Sequence, residues 1–231
     1  MLTAIIVAGG SSQRMGFDKL LAPLEGRPVV AHSLAAFEQT TSVTDIILVG
    51  RAERLSDYEK MVSREGFGKV SAVIPGGARR QDSVRSGLEQ LRPEAAFVAV
   101  HDAARPLVRP GLVEQIFQLA REHGGAASAA PVIDTLKRAD QDRFVIGGID
   151  RVDLFAVQTP QIFRRDLLEN AYRAVFEAGL EVTDEISAVE GIAGKVALLP
   201  NDSPNFKITY PADLALAGFL LRERGVSEPG R

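Results

Sequence analysis

The chain has 231 residues, of which 45% are hydrophobic, and a formal net charge of −3. This length suits one α/β domain, which can bury a sizeable core without covalent staples. The slightly negative charge argues against a general nucleic-acid-binding role. No segment approaches the roughly 20 apolar residues that span a bilayer. The chain has no cysteine, which excludes disulfides, thiolate nucleophiles and cysteine metal sites, and fits a cytoplasmic location.

Short apolar runs alternate with longer amphipathic stretches from one end of the chain to the other. The first run has no basic flank before it, so we interpret it as a buried strand and not as a signal peptide. The predicted strands are Ala4–Val7, Ile46–Val49, Val70–Ile74, Phe97–Val100, Ala126–Ala130, Ala156–Gln158 and Val196–Leu199. The predicted helices are Val29–Gln39, Glu53–Ser63, Ser83–Leu91, Leu112–Glu122 and Arg165–Ala178. This alternation predicts one Rossmann-like α/β domain over residues 1–231, with a mostly parallel sheet covered on both faces.

One segment, residues 133–153, interrupts the alternation. A polar turn at residues 139–142 separates two short runs, and this pattern predicts a β-hairpin that projects from the domain. An isolated two-stranded hairpin is only marginally stable in water. A second copy of the chain is the simplest partner, so we expect a homodimer in which this segment is the dimerisation arm.

A glycine-rich turn follows the first strand, from Ala8 to Lys19. Gly9 and Gly10 let the backbone approach a ligand and turn N–H groups towards phosphate oxygens. Arg14 and Lys19 add positive charge. The spacing matches neither the dinucleotide fingerprint nor a P-loop. A plain strand-to-helix turn with solvated basic residues is the alternative, but the glycines and the two cations together favour a nucleotide-binding loop.

A second glycine pair opens the stretch from Gly76 to Ser83, again between a strand and a helix. A helix N-terminus favours anions and polar acceptors, so this loop is a candidate for holding a base and its ribose. Asp82 or Ser83 would also serve as the helix N-cap, and that role alone would explain both residues. The two interpretations are equally supported by the residues.

The sequence His-Asp-Ala-Ala-Arg-Pro occupies positions 101–106, at the end of the fourth predicted strand. A carboxylate at the carboxyl end of a central strand is well placed to hold Mg²⁺, which accepts few protein ligands. Asp102 is therefore the metal candidate, and His101 is expected to be a packed neighbour. Arg105 is expected either to bind phosphate or to form a structural ion pair.

The second half of the chain adds three further candidates. Thr159 follows a predicted strand, and Thr183 opens a predicted helix that it could cap. Lys207 stands in an otherwise apolar stretch, residues 205–209, which we interpret as a strand. An unpaired ammonium there would be costly, so Lys207 should meet a carboxylate or a bound anion, and we favour the anion.

These motifs together resemble the 2-C-methyl-D-erythritol 4-phosphate cytidylyltransferase family, from Ala4 to about Leu221. The most specific are His-Asp-Ala-Ala-Arg-Pro at 101–106, Asp-Thr-Leu-Lys-Arg at 134–138, Gln-Thr-Pro-Gln at 158–161, Thr-Asp-Glu at 183–185 and the stretch around Lys207. The resemblance implies a fold of the nucleotide-diphospho-sugar transferase type. It also implies CTP and a sugar-alcohol phosphate as substrates, Mg²⁺ as cofactor, and a homodimer whose arms reach the partner's site.

The resemblance also assigns roles to single positions. It places Arg14, Lys19 and Lys207 in catalysis and Asp102 on the metal. The expected nucleotide-binding residues are Ala8, Gly9, Gly10, Gly77, Ala78, Ser83 and Ala103. The expected substrate-binding residues are Thr135, Arg151, Thr159, Thr183 and Arg105, with Thr135 and Arg151 serving the partner subunit's site.

Three alternatives remain open at the level of sequence. Ribitol 5-phosphate cytidylyltransferases resemble this chain closely but often have a bulkier residue where Ala104 stands. The string Gly-Gly, Arg-Met-Gly and Asp-Lys between residues 9 and 19 resembles molybdenum cofactor guanylyltransferases. The third alternative is a nucleotide-binding regulatory protein without activity, which the presence of every candidate catalytic side chain disfavours.

Overall fold

The computed structural model describes residues 1–10 and 15–227, without the side chains of residues 225–227. Over this part of the chain no helix is both long and apolar enough to cross a membrane. The predicted α/β fold is confirmed: a seven-stranded sheet has helices against both faces, and a separate two-stranded hairpin stands beside it.

The large sheet is mostly parallel. Its strands are β1 (Leu2–Ala8), β4 (Val43–Gly50), β5 (Val70–Pro75), β6 (Phe97–Asp102), β7 (Gly125–Pro131), β10 (Phe155–Arg164) and β11 (Ala197–Pro200). Their order across the sheet is β11-β7-β10-β6-β1-β4-β5, and β10 runs antiparallel to both neighbours while all other pairs are parallel. Two short strands, β2 (Pro23–Leu24) and β3 (Arg27–Pro28), pair separately.

The helices cover two faces because successive strand residues point to opposite sides. The helices are α1 (Val29–Gln39), α2 (Leu55–Glu65), α3 (Arg80–Leu88), α4 (Pro110–His123), α5 (Arg165–Glu177), α6 (Glu185–Glu190) and α7 (Pro211–Ser227). Ile6 of β1 belongs to the cluster that α1, α2 and α4 cover. Ile5, its neighbour, belongs to the cluster that α3, α5 and α6 cover.

Four predictions of local structure are wrong. The strand predicted at Ala156–Gln158 continues to Arg164 and includes Thr159. Helix α3 begins at Arg80, with Arg79 as its N-cap residue, so neither Asp82 nor Ser83 is the cap. Helix α6 is capped by Asp184, whose carboxylate accepts from the N–H of Ser187 at 2.9 Å, and not by Thr183. Residues 205–209 form no strand.

The arm is present as β8 (Leu136–Ala139) and β9 (Val145–Ile149), which pair antiparallel around an exposed turn. Apolar side chains on and beside it are unusually exposed: Ile133 is 79% exposed, Phe144 71% and Val152 71%. Contiguous exposed apolar surface is typical of an interaction site. The structure therefore contains the hairpin that the sequence predicts, and leaves its apolar surface without a partner in the single chain.

One glycine shows how closely α3 packs on the sheet. A Cβ added to Gly87 would lie 2.7 Å from Cγ2 of Ile5. Overpacking of this kind costs about 1–3 kcal/mol, and the better helix propensity of alanine returns about 1 kcal/mol. Gly87→Ala should therefore lower the unfolding free energy in urea by up to about 2 kcal/mol. Gly111→Ala in α4, where the added Cβ meets nothing within 4 Å, is the matched control and should be neutral or slightly stabilising.

Candidate functional site

A cavity of about 310 Å³ opens where β1, β5 and β6 end. The carboxyl ends of parallel strands meet at one edge of a sheet, and ligands of open α/β folds bind there. The cavity is lined by Val7, Gly9, Gly10, Lys19, Leu20, Gly77, Ala78, Arg79, Arg80, Ser83, Asp102, Ala104 and Lys207. The structure thus brings together residues from all three N-terminal motifs and from the segment near residue 207.

The glycine-rich turn forms one wall of this cavity. Gly9 and Gly10 line the cavity, whereas Ala8 is buried. The carbonyl of Ala8 accepts a hydrogen bond from the hydroxyl of Tyr58 at 3.4 Å. Arg14 lies outside the described residues. Lys19 is buried, and its Nζ donates to the carbonyl of Ile208 at 2.7 Å. The cation is thereby tied to the segment that contains Lys207.

Acidic and basic side chains anchor the end of this turn. Asp18 accepts from Arg51, and Nε of Arg54 lies 3.2 Å from the same carboxylate. Arg54 also reaches Asp57 at 3.0 Å. These contacts link the residue before Lys19 to α2 and to the loop that precedes it. They position the backbone from which Lys19 extends into the cavity.

The second glycine pair forms the opposite wall. Oγ of Ser83 accepts from the N–H of Gly77 at 3.2 Å, and a Cβ on Gly77 would lie 2.4 Å from Cβ of Asp82. Asp82 in turn accepts from the N–H of Arg79 at 3.0 Å. Gly77 is therefore required for this close turn, and Ser83 holds the turn from within the helix. Ala78 is exposed on the same wall.

Asp102 lies at the centre of a charge cluster. Its Oδ1 accepts from Nε of Arg80 at 3.1 Å and its Oδ2 from Nζ of Lys207 at 2.9 Å, while Nε of Arg105 is 3.8 Å away. Burial by itself would raise the pKa of the Asp102 carboxyl, but the charges of Arg80 and Lys207 outweigh it and hold that pKa well below its usual range. The carboxylate is therefore ionised at neutral pH. Lys207 thus meets a carboxylate, one of the two partners expected for it, and its contact with a bound anion stays a prediction.

Two residues of this cluster received no role from the sequence. Arg80 donates through Nη1 and Nη2 to both oxygens of Glu185, at 2.7 and 3.0 Å. Glu185 is fully buried and also accepts from the hydroxyl of Tyr172 at 2.9 Å. Glu185 is 105 residues from Arg80 along the chain, so no local pattern signals the pair. The available signals were the position of Arg80 directly after the glycine loop and the place of Glu185 in the Thr-Asp-Glu motif.

His101 is a packed residue, as predicted. It is fully buried with its ring 5.0 Å from that of Phe37, and burial lowers its pKa to about 3. Its Nδ1 lies 3.1 Å from Oγ1 of Thr159, and the same hydroxyl oxygen accepts from the N–H of Asp102 at 3.0 Å. A neutral imidazole in this position has no access to a cavity. It supports the strand end that presents Asp102.

A second, smaller cavity of about 250 Å³ adjoins the first. It shares Arg80, Asp102 and Lys207 with the first cavity. Its other lining residues are Arg105, Val157, Gln158, Thr159, Gln161, Thr183 and Asp184. The charge cluster therefore stands on the boundary between two adjacent sites, as a reaction between two bound molecules would require.

Arg105 and Ala103 each donate a hydrogen bond to a backbone carbonyl of the chain itself. Nη1 of Arg105 donates to the carbonyl of Asn205 at 2.8 Å, so its guanidinium is used partly within the protein. Ala103 is fully buried, with its N–H bonded to the carbonyl of Val7 at 3.0 Å. Its neighbour Ala104 lines the first cavity instead. A role for Ala103 in nucleotide binding therefore rests on its backbone position alone.

The two arm residues lie apart from both cavities in the single chain. Thr135 precedes β8 and is exposed. Arg151 follows β9, and its Nη1 donates to the carbonyl of Ile133 at the base of the arm. Neither residue lines the described cavities. A contribution from them to a site would have to be made to another copy of the chain.

The carboxylates near the first cavity can be compared with the ligands that Mg²⁺ requires. The described residues contain no cluster of three or more His, Asp or Glu side chains of the kind that coordinates an ion. Asp102 is the sole carboxylate among the described lining residues of the first cavity. Mg²⁺ keeps several waters and is typically bound by one or two carboxylates plus substrate phosphates. One ionised carboxylate beside a phosphate-sized space fits that mode of binding.

Comparison with known proteins agrees with this geometry. The model of the IspD family, 2-C-methyl-D-erythritol 4-phosphate cytidylyltransferase, matches residues 2–223. A protein of that name from Dehalococcoides mccartyi is 40% identical over 221 residues, which cover 95% of this chain and 96% of the relative. The structure of 4-diphosphocytidyl-2C-methyl-D-erythritol synthase from Anaerococcus prevotii superposes with a TM-score of 0.85 at 27% identity, covering 96% of each chain. The cytidylyltransferase of Thermus thermophilus gives 0.78 at 31% identity, covering 94% of this chain and 98% of that one.

Proposed function

Because this chain belongs to the 2-C-methyl-D-erythritol 4-phosphate cytidylyltransferase family, we propose that it transfers a cytidylyl group from CTP to 2-C-methyl-D-erythritol 4-phosphate. The products are 4-diphosphocytidyl-2-C-methyl-D-erythritol and pyrophosphate, and the reaction serves the non-mevalonate route to isoprenoids. One observation supports the assignment above the others: Arg80, Asp102 and Lys207 border two adjacent cavities at the carboxyl end of the sheet. The first cavity takes CTP and the second takes the acceptor.

The first cavity suits a nucleoside triphosphate. Gly9 and Gly10 leave room for phosphate oxygens, and Lys19 supplies a cation from the same wall. The opposite wall, with Gly77, Ala78 and Ser83, offers backbone groups and a hydroxyl to the base and ribose. Arg14, outside the described residues, is proposed as the second cation for the triphosphate.

The second cavity suits a phosphorylated polyol. Arg105 and Lys207 provide positive charge, and Thr159 and Thr183 provide hydroxyl groups on its wall. The acceptor's phosphate has a second pKa near 6, so its oxygens are mostly ionised at neutral pH. Such an oxygen attacks the α-phosphorus of CTP in line and needs no protein base. The neutral, buried His101 is consistent with a mechanism that uses none.

The main obstacle is to bring two anions together, so positive groups that meet the charge of the transition state should dominate catalysis. Lys19 and Lys207 are the described side chains proposed for this role, with Arg14. Asp102 would hold Mg²⁺ together with the phosphates of CTP, and the ion would neutralise charge that builds on those phosphates. Lys207 must then leave Asp102 to reach the reacting phosphate.

The activity is tested by mixing the purified protein with Mg²⁺, one nucleoside triphosphate and one acceptor, and measuring pyrophosphate release. We expect release with CTP and 2-C-methyl-D-erythritol 4-phosphate. CTP with ribitol 5-phosphate, and GTP with either acceptor, should give little. The proposal would be overturned if pyrophosphate were released only when GTP is the nucleotide, or only when ribitol 5-phosphate is the acceptor. Binding of CTP without turnover of either acceptor would support a regulatory protein instead.

The arm is proposed to complete the site of a second subunit in a homodimer. Its exposed apolar residues, among them Ile133 and Val152, give it a surface to bury, and Thr135 and Arg151 lie apart from this chain's own cavities. In the dimer they would contact the acceptor bound to the partner. Residues 1–231 would then form a single catalytic domain with a dimerisation arm at about 133–153.

Mixing two inactive variants tests the shared site. Arg151→Ala and Lys19→Ala would each damage a different half of one composite site, so a mixed dimer should contain one intact site. After subunit exchange we expect pyrophosphate release to recover towards about one quarter of the wild-type rate. In a random mixture half of the dimers contain both variants, and each of these has one intact site out of two. Arg143→Ala, at the exposed turn of the arm, is the control and should stay active alone. If exchange is shown by mass spectrometry and no activity returns, the shared-site proposal is wrong.

A further inference from the structure

A continuous line of polar contacts runs from α5, through α6 and α3, to the end of β6. The hydroxyl of Tyr172 donates to Oε1 of Glu185 at 2.9 Å, and Glu185 accepts from Arg80 at 2.7 and 3.0 Å. Arg80 then donates through Nε to Asp102 at 3.1 Å. Glu185 is 0% exposed and Tyr172 3%. The line ends at the carboxylate shared by the two cavities.

We infer that Glu185 is a positioning residue for the transfer reaction. It holds Arg80 against Asp102, so that Asp102 keeps a cation when Lys207 moves to the substrate phosphate. The inference rests on the proposed function for its consequence in catalysis. The contacts that support it lie within the chain and involve no substrate.

Two cations donate hydrogen bonds to Asp102, Arg80 and Lys207, whereas Arg105 lies 3.8 Å away. The side chain of Lys207 is 42% exposed and that of Arg80 is 22% exposed. Lys207 is held by a single hydrogen bond to Asp102, whereas Arg80 is held at both ends. Lys207 is therefore the cation that can leave. A buried carboxylate without a cation is strongly unfavourable, and Arg80 is the hydrogen-bonded cation that stays on Asp102 when Lys207 leaves, beside any Mg²⁺ bound with the substrate.

Arg80 is kept in place by its contacts with Glu185. Arg80 borders both cavities, and a guanidinium is an excellent partner for phosphate. A bound substrate would draw Arg80 away from Asp102 unless another anion held it. Glu185 binds it in the two-bond fork arrangement, which fixes the plane of the guanidinium as well as its charge. Burial would lower the pKa of Arg80, but Glu185 and Asp102 outweigh it and raise that pKa well above its ordinary value.

The competing explanation is that the Arg80–Glu185 pair only joins α3 to α6. A purely structural pair would lower stability when it is broken and leave the kinetic constants of the folded protein unchanged. A positioning pair would change the kinetic constants in a specific way. Arg80 would become free to bind phosphate, so the KM for CTP should stay level or fall while kcat falls.

Glu185→Gln separates the two explanations. The folded variant should show a kcat lower by about 10-fold to 100-fold, the range seen when a partner behind a metal-binding group is lost. Its KM for CTP should not rise. Glu169→Gln is the matched control, because Glu169 pairs with Arg165 at 2.7 Å on α5 and lies outside both cavities; it should leave both constants within about twofold. A folded Glu185→Gln enzyme with wild-type kcat, or with a raised KM and unchanged kcat, would overturn the inference.

A double variant covers the case in which Glu185→Gln does not fold. Arg80→Met combined with Glu185→Gln removes both charges and keeps an acceptor for the Tyr172 hydroxyl, and replacing a buried ion pair in this way is often tolerated. We expect a folded protein with kcat at least as low as that of Glu185→Gln alone. Recovery of wild-type kcat in the double variant would mean that the pair is structural, and would overturn the inference.

A readout independent of activity distinguishes this inference from the proposed function. In the wild-type chain the Nε–H of Arg80 donates to Asp102 at 3.1 Å, so its NMR signal should exchange with solvent more slowly than that of a free guanidinium. The signal should exchange faster in Glu185→Gln and remain slow in Glu169→Gln. If the wild-type protein releases no pyrophosphate, the proposed function fails, and this signal alone tests the positioning. An unchanged signal in Glu185→Gln would overturn it.

Discussion

Lys19→Ala should reduce the turnover of CTP with 2-C-methyl-D-erythritol 4-phosphate by about 10²- to 10³-fold. Removing one preorganised group that stabilises transition-state charge costs on the order of 3–4 kcal/mol. Lys19 is only 9% exposed and lines the cavity proposed for the triphosphate. The measurement is the steady-state rate of pyrophosphate release at saturating CTP and acceptor.

The Lys19→Ala assay needs a test of folding and a control variant. Nζ of Lys19 also donates to the carbonyl of Ile208 at 2.7 Å, so its loss could disturb the segment with Lys207. A thermal melt should therefore show that the variant is folded at the assay temperature. Lys60→Ala, which removes an exposed lysine from α2, should keep wild-type turnover. Near-normal turnover in folded Lys19→Ala would show that Lys19 has no part in the chemistry.

Asp102→Asn should reduce turnover by at least a similar factor and also destabilise the fold. The substitution leaves Arg80, Lys207 and Arg105 facing one another around a neutral amide. Removing one partner from a buried charge cluster costs about 3–5 kcal/mol. It also removes the carboxylate that is proposed to hold Mg²⁺, the only one among the described residues that line the first cavity. Urea unfolding at pH 7 and pyrophosphate release measure the two effects separately.

The pH dependence of that destabilisation identifies its cause. The pKa of Asp102 is lower in the folded chain than its unfolded value of about 3.9. Its contribution to stability is therefore complete above about pH 5 and is lost as the pH falls towards the folded-state pKa. The gap in unfolding free energy between wild type and Asp102→Asn should be constant from pH 5 to 7 and narrow below about pH 4.

A surface aspartate provides the control for that titration. Asp202→Asn, at an exposed position, should change the unfolding free energy by no more than about 0.5 kcal/mol at any of these pH values. If the gap for Asp102→Asn stays constant down to pH 2, the ionised carboxylate is not the source of the stability. The loss would then be due to packing of the amide.

The sequence by itself determined the fold class, the hairpin and the grouping of the two glycine pairs with Asp102. Apolar strands alternating with helices require a covered parallel sheet, and such a sheet gathers the residues after β1, β5 and β6 at one edge. The glycine pairs and Asp102 could therefore be assigned to one site from their positions after strands. The hairpin was predictable for a similar reason, since its short polar turn and flanking runs are local features.

Only the tertiary structure decided how the charges are arranged. Lys207 and Arg80 approach Asp102 from 105 and 22 residues away, and Glu185 approaches Arg80 from 105. Hydrophobic periodicity reports which face of an element is buried, and contains no information on which charged groups meet across elements. The same reason explains why two helix N-caps were predicted wrongly. The hydroxyl of Ser83 accepts from the N–H of Gly77 instead of capping α3. Asp184 caps α6, although Thr183 is a residue type equally suited to that position.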